Sequence, residues 1–125
     1  MEKKMILGIG VDLVKLDRFK MMSPTHRDRL AARILLPIEF NTYLKSKSQS
    51  NTLAKYWAAK EAVSKSFGTG IRGKVVWKNI LLKNTELGQP VIELKNELSS
   101  NSNICHISIS HDNGMVIAYA ILEKI

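Results

Sequence analysis

Residues 104–122 read ICHISISHDNGMVIAYAIL. Two apolar runs, Ile104–Ser110 and Met115–Leu122, flank His111, Asp112, Asn113 and Gly114. Asn-Gly between apolar runs is a strong hairpin signal, because the tight turn needs positive φ at both central residues. The first run alternates and the second is rich in branched and aromatic residues, as strands are. This stretch predicts an antiparallel sheet at the C-terminal end.

Upstream, Val75–Lys83 reads as a strand, residues 86–90 as a turn and Val91–Leu94 as a short strand. Met5–Val14 reads as another. It carries Leu7, Ile9, Val11 and Leu13 on one face and Ile6, Gly8, Gly10 and Asp12 on the other. Two glycines beside an aspartate predict an open surface where a ligand approaches the backbone. Short helices are expected over Asp17–Met22, Thr25–Leu36 and Ile38–Lys45, with Pro37 ending one or starting the next. Lys45–Asn51 reads as an exposed loop or frayed helix end. The longest helix is expected over Leu53–Phe67, capped by Asn51 or Thr52 and stopped by Gly68, Thr69 and Gly70. Helices first and antiparallel strands later give an α+β fold, a small antiparallel sheet packed against a long helix. No repeat or linker divides residues 1–125, so a single domain is expected.

The net charge is +8, from 19 basic and 11 acidic side chains, and such an excess attracts polyanions. No apolar run is long enough to span a bilayer, and the charged start, Met1–Lys4, makes a poor signal peptide. A cytoplasmic protein with no membrane contact is expected. The lone Cys105 excludes an internal disulfide and reads as a buried thiol. His26 and His106 have no metal-ligand spacing and read as surface or packing residues.

On the long helix, Leu53, Tyr56, Trp57, Val63 and Phe67 form the core stripe. Ala54, Ala58, Glu61 and Lys65 share a neighbouring face, where the alanines clear space for a carboxylate and an ammonium one turn apart. Glu61 and Lys65 read either as a surface ion pair or as a metal carboxylate beside a phosphate-binding lysine. Asp12 reads either as a strand-end turn residue or as the second carboxylate, and magnesium suits such a pair because it keeps several waters. Lys60 falls within the apolar stripe, as a snorkelling lysine or one drawn to an anionic ligand. A serine hydrolase is excluded, because Ser110 and His111 adjoin on a strand and point apart, and no nucleophile elbow is present. A nucleic-acid-binding module accounts for the charge, but not for acidic groups on the two cleared faces.

Three stretches together resemble the signatures of the holo-acyl-carrier-protein synthases, a phosphopantetheinyl transferase family. They are GIGVDLV at 8–14, WAAKEAVSKSFGTG at 57–70 and ISISHD at 107–112, with a smaller match at Gly88, Gln89 and Pro90. The resemblance implies Mg²⁺-dependent transfer of the 4′-phosphopantetheine arm of coenzyme A to a serine of apo-acyl carrier protein, in support of fatty acid biosynthesis. Asp12 and Glu61 match the magnesium carboxylates, and Lys65 the lysine near the pyrophosphate. Ser64, Lys65, Gly68, Pro90, Ser110 and His111 are implied coenzyme contacts. A homotrimer with sites between subunits is implied. The chain departs from the family's usual Arg-Phe at Tyr56 and Trp57, and Asp112 replaces a glutamate. Carrier proteins of this class are acidic, and Lys15, Arg18, Arg27 and Arg29 are expected to form the docking patch.

Overall fold

The computed structural model describes residues 5–100 and 102–125, and the charged Met1–Lys4 segment lies outside them. Strand β1 (Met5–Lys15) leads through helices α1 (Asp17–Lys20), α2 (Pro24–Ile34) and α3 (Pro37–Lys45) to the long α4 (Gln49–Ser66). Then follow β2 (Ile80–Asn84), β3 (Pro90–Leu94), β4 (Asn103–Asp112) and β5 (Met115–Lys124). Two antiparallel sheets result, of order β1-β5-β4 and β2-β3. This is the expected α+β arrangement.

The C-terminal hairpin forms as the sequence predicts, with β4 running two residues further toward the turn and β5 two residues further beyond it. Asn113 (φ 50°) and Gly114 (φ 76°) alone make the turn. Gly68 and Gly70, both at positive φ, end the long helix. Pro37 starts α3 rather than ending α2.

Three details differ from the sequence reading. Helix α4 begins at Gln49, so Asn51 and Thr52 lie inside it and cap nothing. The Ser46 and Thr52 hydroxyls bond each other instead, at 2.6 Å. Only residues 46–48 of the expected loop are non-helical. Val75–Lys83 is not one strand: a 3-10 turn at Trp77–Asn79 precedes β2. The Asn79 amide donates to Lys74 O at 2.8 Å and to Glu97 Oε2 at 2.9 Å, holding the turn in place.

The largest difference concerns β1. Its glycine face is covered by α4, not open to a ligand. A Cβ at Gly10 would overlap the Ala62 carbonyl, and one at Gly8 the Ser66 carbonyl. The glycines are there to let a helix approach a strand. Ala118 and Ala120 of β5 are fully buried on the same face, so small residues make this contact throughout. The opposite face carries Leu7, Ile9, Val11 and Leu13, which are 45–58% exposed, beside exposed Ile117 and Tyr119 of β5. Cys105 is buried as expected, and burial pushes its thiol up to about 11.

Candidate functional site at the contact of β1 and the long helix

Close packing of α4 on β1 brings Asp12, Glu61 and Lys65 to one place. Lys65 Nζ donates to Asp12 Oδ1 at 3.1 Å and to the Val11 carbonyl at 3.0 Å. The surface i,i+4 pair of Glu61 with Lys65 is therefore not what forms; Lys65 reaches across to the strand. Asp12 is only 13% exposed, and its second oxygen, Oδ2, is buried with no hydrogen-bond partner among the described residues. A buried carboxylate oxygen without a donor is costly unless a cation meets it.

Glu61 stands near enough to feel the same charges. Burial pushes its carboxyl above the ordinary range, and Asp12 pushes it further, while Lys65 and Arg18 pull it back. Two carboxylates whose charges oppose each other are poised for a divalent cation. Two hard carboxylate ligands are of the kind magnesium takes.

Arg18 guards the edge. Its guanidinium carbon lies 4.5 Å from the centroid of the Trp57 ring and 5.7 Å from that of Phe19. Trp57 in turn meets Trp77, ring centroids 4.8 Å apart. Tyr56, at the position where the family has arginine, is buried and belongs to the core.

The other sequence candidates divide. Gly68 is exposed just beyond α4. Ser64 is fully buried, its Oγ donating to the Glu61 carbonyl at 2.7 Å, so its side chain has no surface for a coenzyme. Pro90 begins β3, in the other sheet. Ser110 pairs across β5 with Leu13 and so shares the outer face, away from Asp12. His111 lies at the far end of β4 beside Leu16, Asn51, Lys55 and Val116, around a cavity of about 100 Å³. Pro90, Ser110 and His111 thus do not join the Asp12 cluster within one chain. Among the docking candidates, Lys15, Arg18 and Arg29 are exposed. Arg27 is half-buried and turned to the start of α4, bonded to Ser50 Oγ and Gln49 Oε1 at 3.4 Å each.

The sequence reading missed Glu39, which is buried and pairs with Lys60 at 2.7 Å. One signal was present: Glu39 stands at the third position of a helix that opens with Pro37, where a glutamate turns back to the preceding backbone. Its Oε1 does accept from Leu36 N, at 2.8 Å. Lys60 neither snorkels nor meets a ligand; it is wholly enclosed.

Comparison with known proteins identifies the family. Residues 8–120 match the model of the 4′-phosphopantetheinyl transferase superfamily. The holo-[acyl-carrier-protein] synthase of Dechloromonas aromatica is 38% identical over 95% of this chain and 98% of that protein. That of Blochmanniella pennsylvanica is 40% identical over 96% of this chain and all of its own length. The crystal structure of the Neisseria meningitidis synthase superposes with a TM-score of 0.87 at 36% identity, covering 96% of this chain and 100% of the other. The Bacillus anthracis synthase, in complex with CoA (3′,5′-ADP), superposes at 0.82 and 34% identity, covering 96% and 98%. With its carboxylates and lysine gathered where a strand and a helix meet, the chain belongs to the 4′-phosphopantetheinyl transferase superfamily, among its holo-[acyl-carrier-protein] synthases.

Proposed function

We propose that the Asp12–Glu61–Lys65 cluster is where this chain carries out its family's reaction. That reaction moves the 4′-phosphopantetheine moiety of coenzyme A to a serine of apo-acyl carrier protein, giving holo-acyl carrier protein and 3′,5′-ADP. The observation that carries the assignment is the buried Oδ2 of Asp12, without a hydrogen-bond partner among the described residues, beside Glu61. Asp12 and Glu61 would hold Mg²⁺, which supplies charge neutralisation at the pyrophosphate when bound.

In the transfer, the serine oxygen forms a bond to the phosphorus that bears the pantetheine arm. The bond from that phosphorus to the bridging oxygen breaks, and 3′,5′-ADP departs with the electron pair. Lys65, half-exposed at the end of α4, stabilises the departing phosphate. The serine proton passes to a carboxylate, Asp12 or Glu61, or to a water. Coenzyme A bound to the Bacillus anthracis and Helicobacter pylori relatives supports coenzyme A as donor.

The whole chain acts as one domain, and three copies form the active enzyme. The exposed apolar face of β1 and β5 supports such an assembly. So does the placement of Pro90, Ser110 and His111, which reach a coenzyme only if a neighbouring copy offers them. Lys15, Arg18 and Arg29 are the exposed cations that meet an acidic carrier protein. The reaction is placed in the cytoplasm, in fatty acid synthesis. No helix among the described residues is long and apolar enough to cross a membrane.

The test is direct. The chain is incubated with apo-acyl carrier protein, coenzyme A and Mg²⁺, and the carrier is weighed by mass spectrometry. A phosphopantetheine mass gain that requires Mg²⁺ and disappears with Asp12→Ala and Glu61→Ala is expected. No gain with a folded enzyme sinks the reading, and near-normal gain in either variant removes that residue from the metal site.

A further inference from the structure

Lys60 is wholly buried, yet every proton of its ammonium is used. Nζ donates to Glu39 Oε1 at 2.7 Å, to the Ile34 carbonyl at 2.8 Å and to the Trp77 carbonyl at 3.1 Å. Glu39 is equally committed, its Oε1 accepting also from Leu36 N at 2.8 Å and its Oε2 from Leu82 N at 2.9 Å. One ion pair thereby ties α4 to the end of α2, the start of α3, the 3-10 turn and β2. A buried ion pair is a poor source of stability, since its desolvation offsets its attraction. What it supplies is a single geometry, because its hydrogen bonds leave no alternative arrangement.

Lys60 precedes Glu61, and successive residues on a helix are about 100° apart. Anchoring Lys60 on one side fixes the direction of Glu61 on another. The opposite flank of α4 rests on β1, where Gly8 and Gly10 admit the backbone of Ser66 and Ala62. The helix is therefore held from two sides, with the Asp12–Glu61 contact between them. The Trp77 carbonyl held by Lys60 belongs to the residue whose ring supports Trp57, on which Arg18 lies.

We propose that the Lys60–Glu39 pair is a positioning device for the active site: it fixes the rotation of α4, and with it the separation of the Asp12 and Glu61 carboxylates. This rests on the reading of those carboxylates as ligands of a divalent cation. Neither Lys60 nor Glu39 touches substrate.

The test uses the full-length chain with both charges removed at once, Glu39→Gln with Lys60→Met, since either change alone leaves a buried charge unpaired. Mn²⁺ binding in the presence of 3′,5′-ADP is followed by electron paramagnetic resonance, folding by circular dichroism and turnover by the carrier mass assay. The expected double variant melts cooperatively, binds Mn²⁺ about 10-fold or more weakly and loses kcat by roughly 10–100-fold, the range for groups that orient metal ligands. Its KM for carrier protein stays unchanged. A folded double variant with wild-type Mn²⁺ affinity and kcat overturns the proposal. Should the double variant not fold, Glu39→Gln alone decides: a lowered melting temperature with unaltered Mn²⁺ affinity overturns the proposal, and weakened affinity supports it. Asp12→Ala and Glu61→Ala are the controls. If they bind Mn²⁺ normally, the metal reading itself fails; if they lose it and the double variant does not, only the positioning role fails.

Discussion

Lys65 Nζ sits 3.1 Å from Oδ1 of Asp12, while Oδ2 of the same carboxylate is buried with no hydrogen-bond partner among the described residues. The lysine neutralises one oxygen and leaves the other for a second cation. Lys65→Ala is therefore expected to separate binding from chemistry. Turnover should fall on the order of 10²-fold, the scale of one electrostatic stabiliser. The half-saturating Mg²⁺ concentration should stay level or fall, because a competing cation has gone. A large rise in that concentration with little loss of turnover would reassign Lys65 to metal assembly.

Glu61 contributes to the pH behaviour of the unliganded protein. Its carboxyl is raised by burial and by Asp12, so the folded chain holds that proton more tightly than the unfolded chain does. The contribution of Glu61 to stability is thus greatest below the ordinary carboxylate pKa and is lost as pH rises through its raised value. Glu61→Gln should raise the melting temperature at neutral pH and flatten this dependence. It should also abolish the extra stabilisation by Mg²⁺ with 3′,5′-ADP. An unchanged melting profile between pH 4 and 8 would show that Glu61 is not held out of water.

Gly10→Ala is expected to be severe for a conservative change. The added methyl meets the carbonyl of Ala62 and the amide of Ser66, both backbone, so α4 itself must shift. A loss on the order of 1–3 kcal/mol in urea unfolding is expected, together with a larger loss of turnover, because Glu61 moves with the helix. Wild-type stability would mean that the helix and strand are not in the contact described.

How legible all this was in the sequence depended on the range of the interaction. The Asn113-Gly114 hairpin and the Gly68 stop are local, and backbone preference alone identifies them. Gly8 and Gly10 were misjudged because a missing side chain says that something approaches, not what; here it is a distant helix, at Ala62 and Ser66. The break at Trp77 relies on Asn79 bonding Lys74 and Glu97, which no propensity encodes. Asp12 and Glu61 were nameable through the family resemblance, not through spacing, and Glu39 stayed hidden because its partner is 21 residues away.

The outer face of β1 offers a test of assembly. Val11→Glu with Ile9→Glu should leave the inner packing untouched, since both residues point away from α4. Sedimentation equilibrium should show wild-type trimer and variant monomer, with activity lost on dissociation. A fully active monomer would sink the shared site.

Arg18→Glu should raise the KM for carrier protein and weaken its salt dependence, because exposed charges act over a Debye length of about 8 Å at physiological ionic strength. Coenzyme A affinity should change little. The fluorescence of Trp57 should change as well, since the guanidinium leaves its ring. Equal losses for both substrates would place Arg18 in the coenzyme site instead.

The central sheet is sewn from opposite ends of the chain: Met5 pairs with Lys124 and Lys15 with Met115. During synthesis β1 must wait for about a hundred residues before its partner emerges, a delay that favours slow folding and misassociation of its bare apolar edge. The same adjacency allows the two ends of this sheet to be joined and the chain opened at an exposed turn. A circular permutant joining the two ends of this sheet through a short linker, and opened at the exposed 85–89 turn, should keep the fold. In it, β1 and β5 would leave the ribosome as neighbours, and refolding after dilution from urea should be faster than in the natural order.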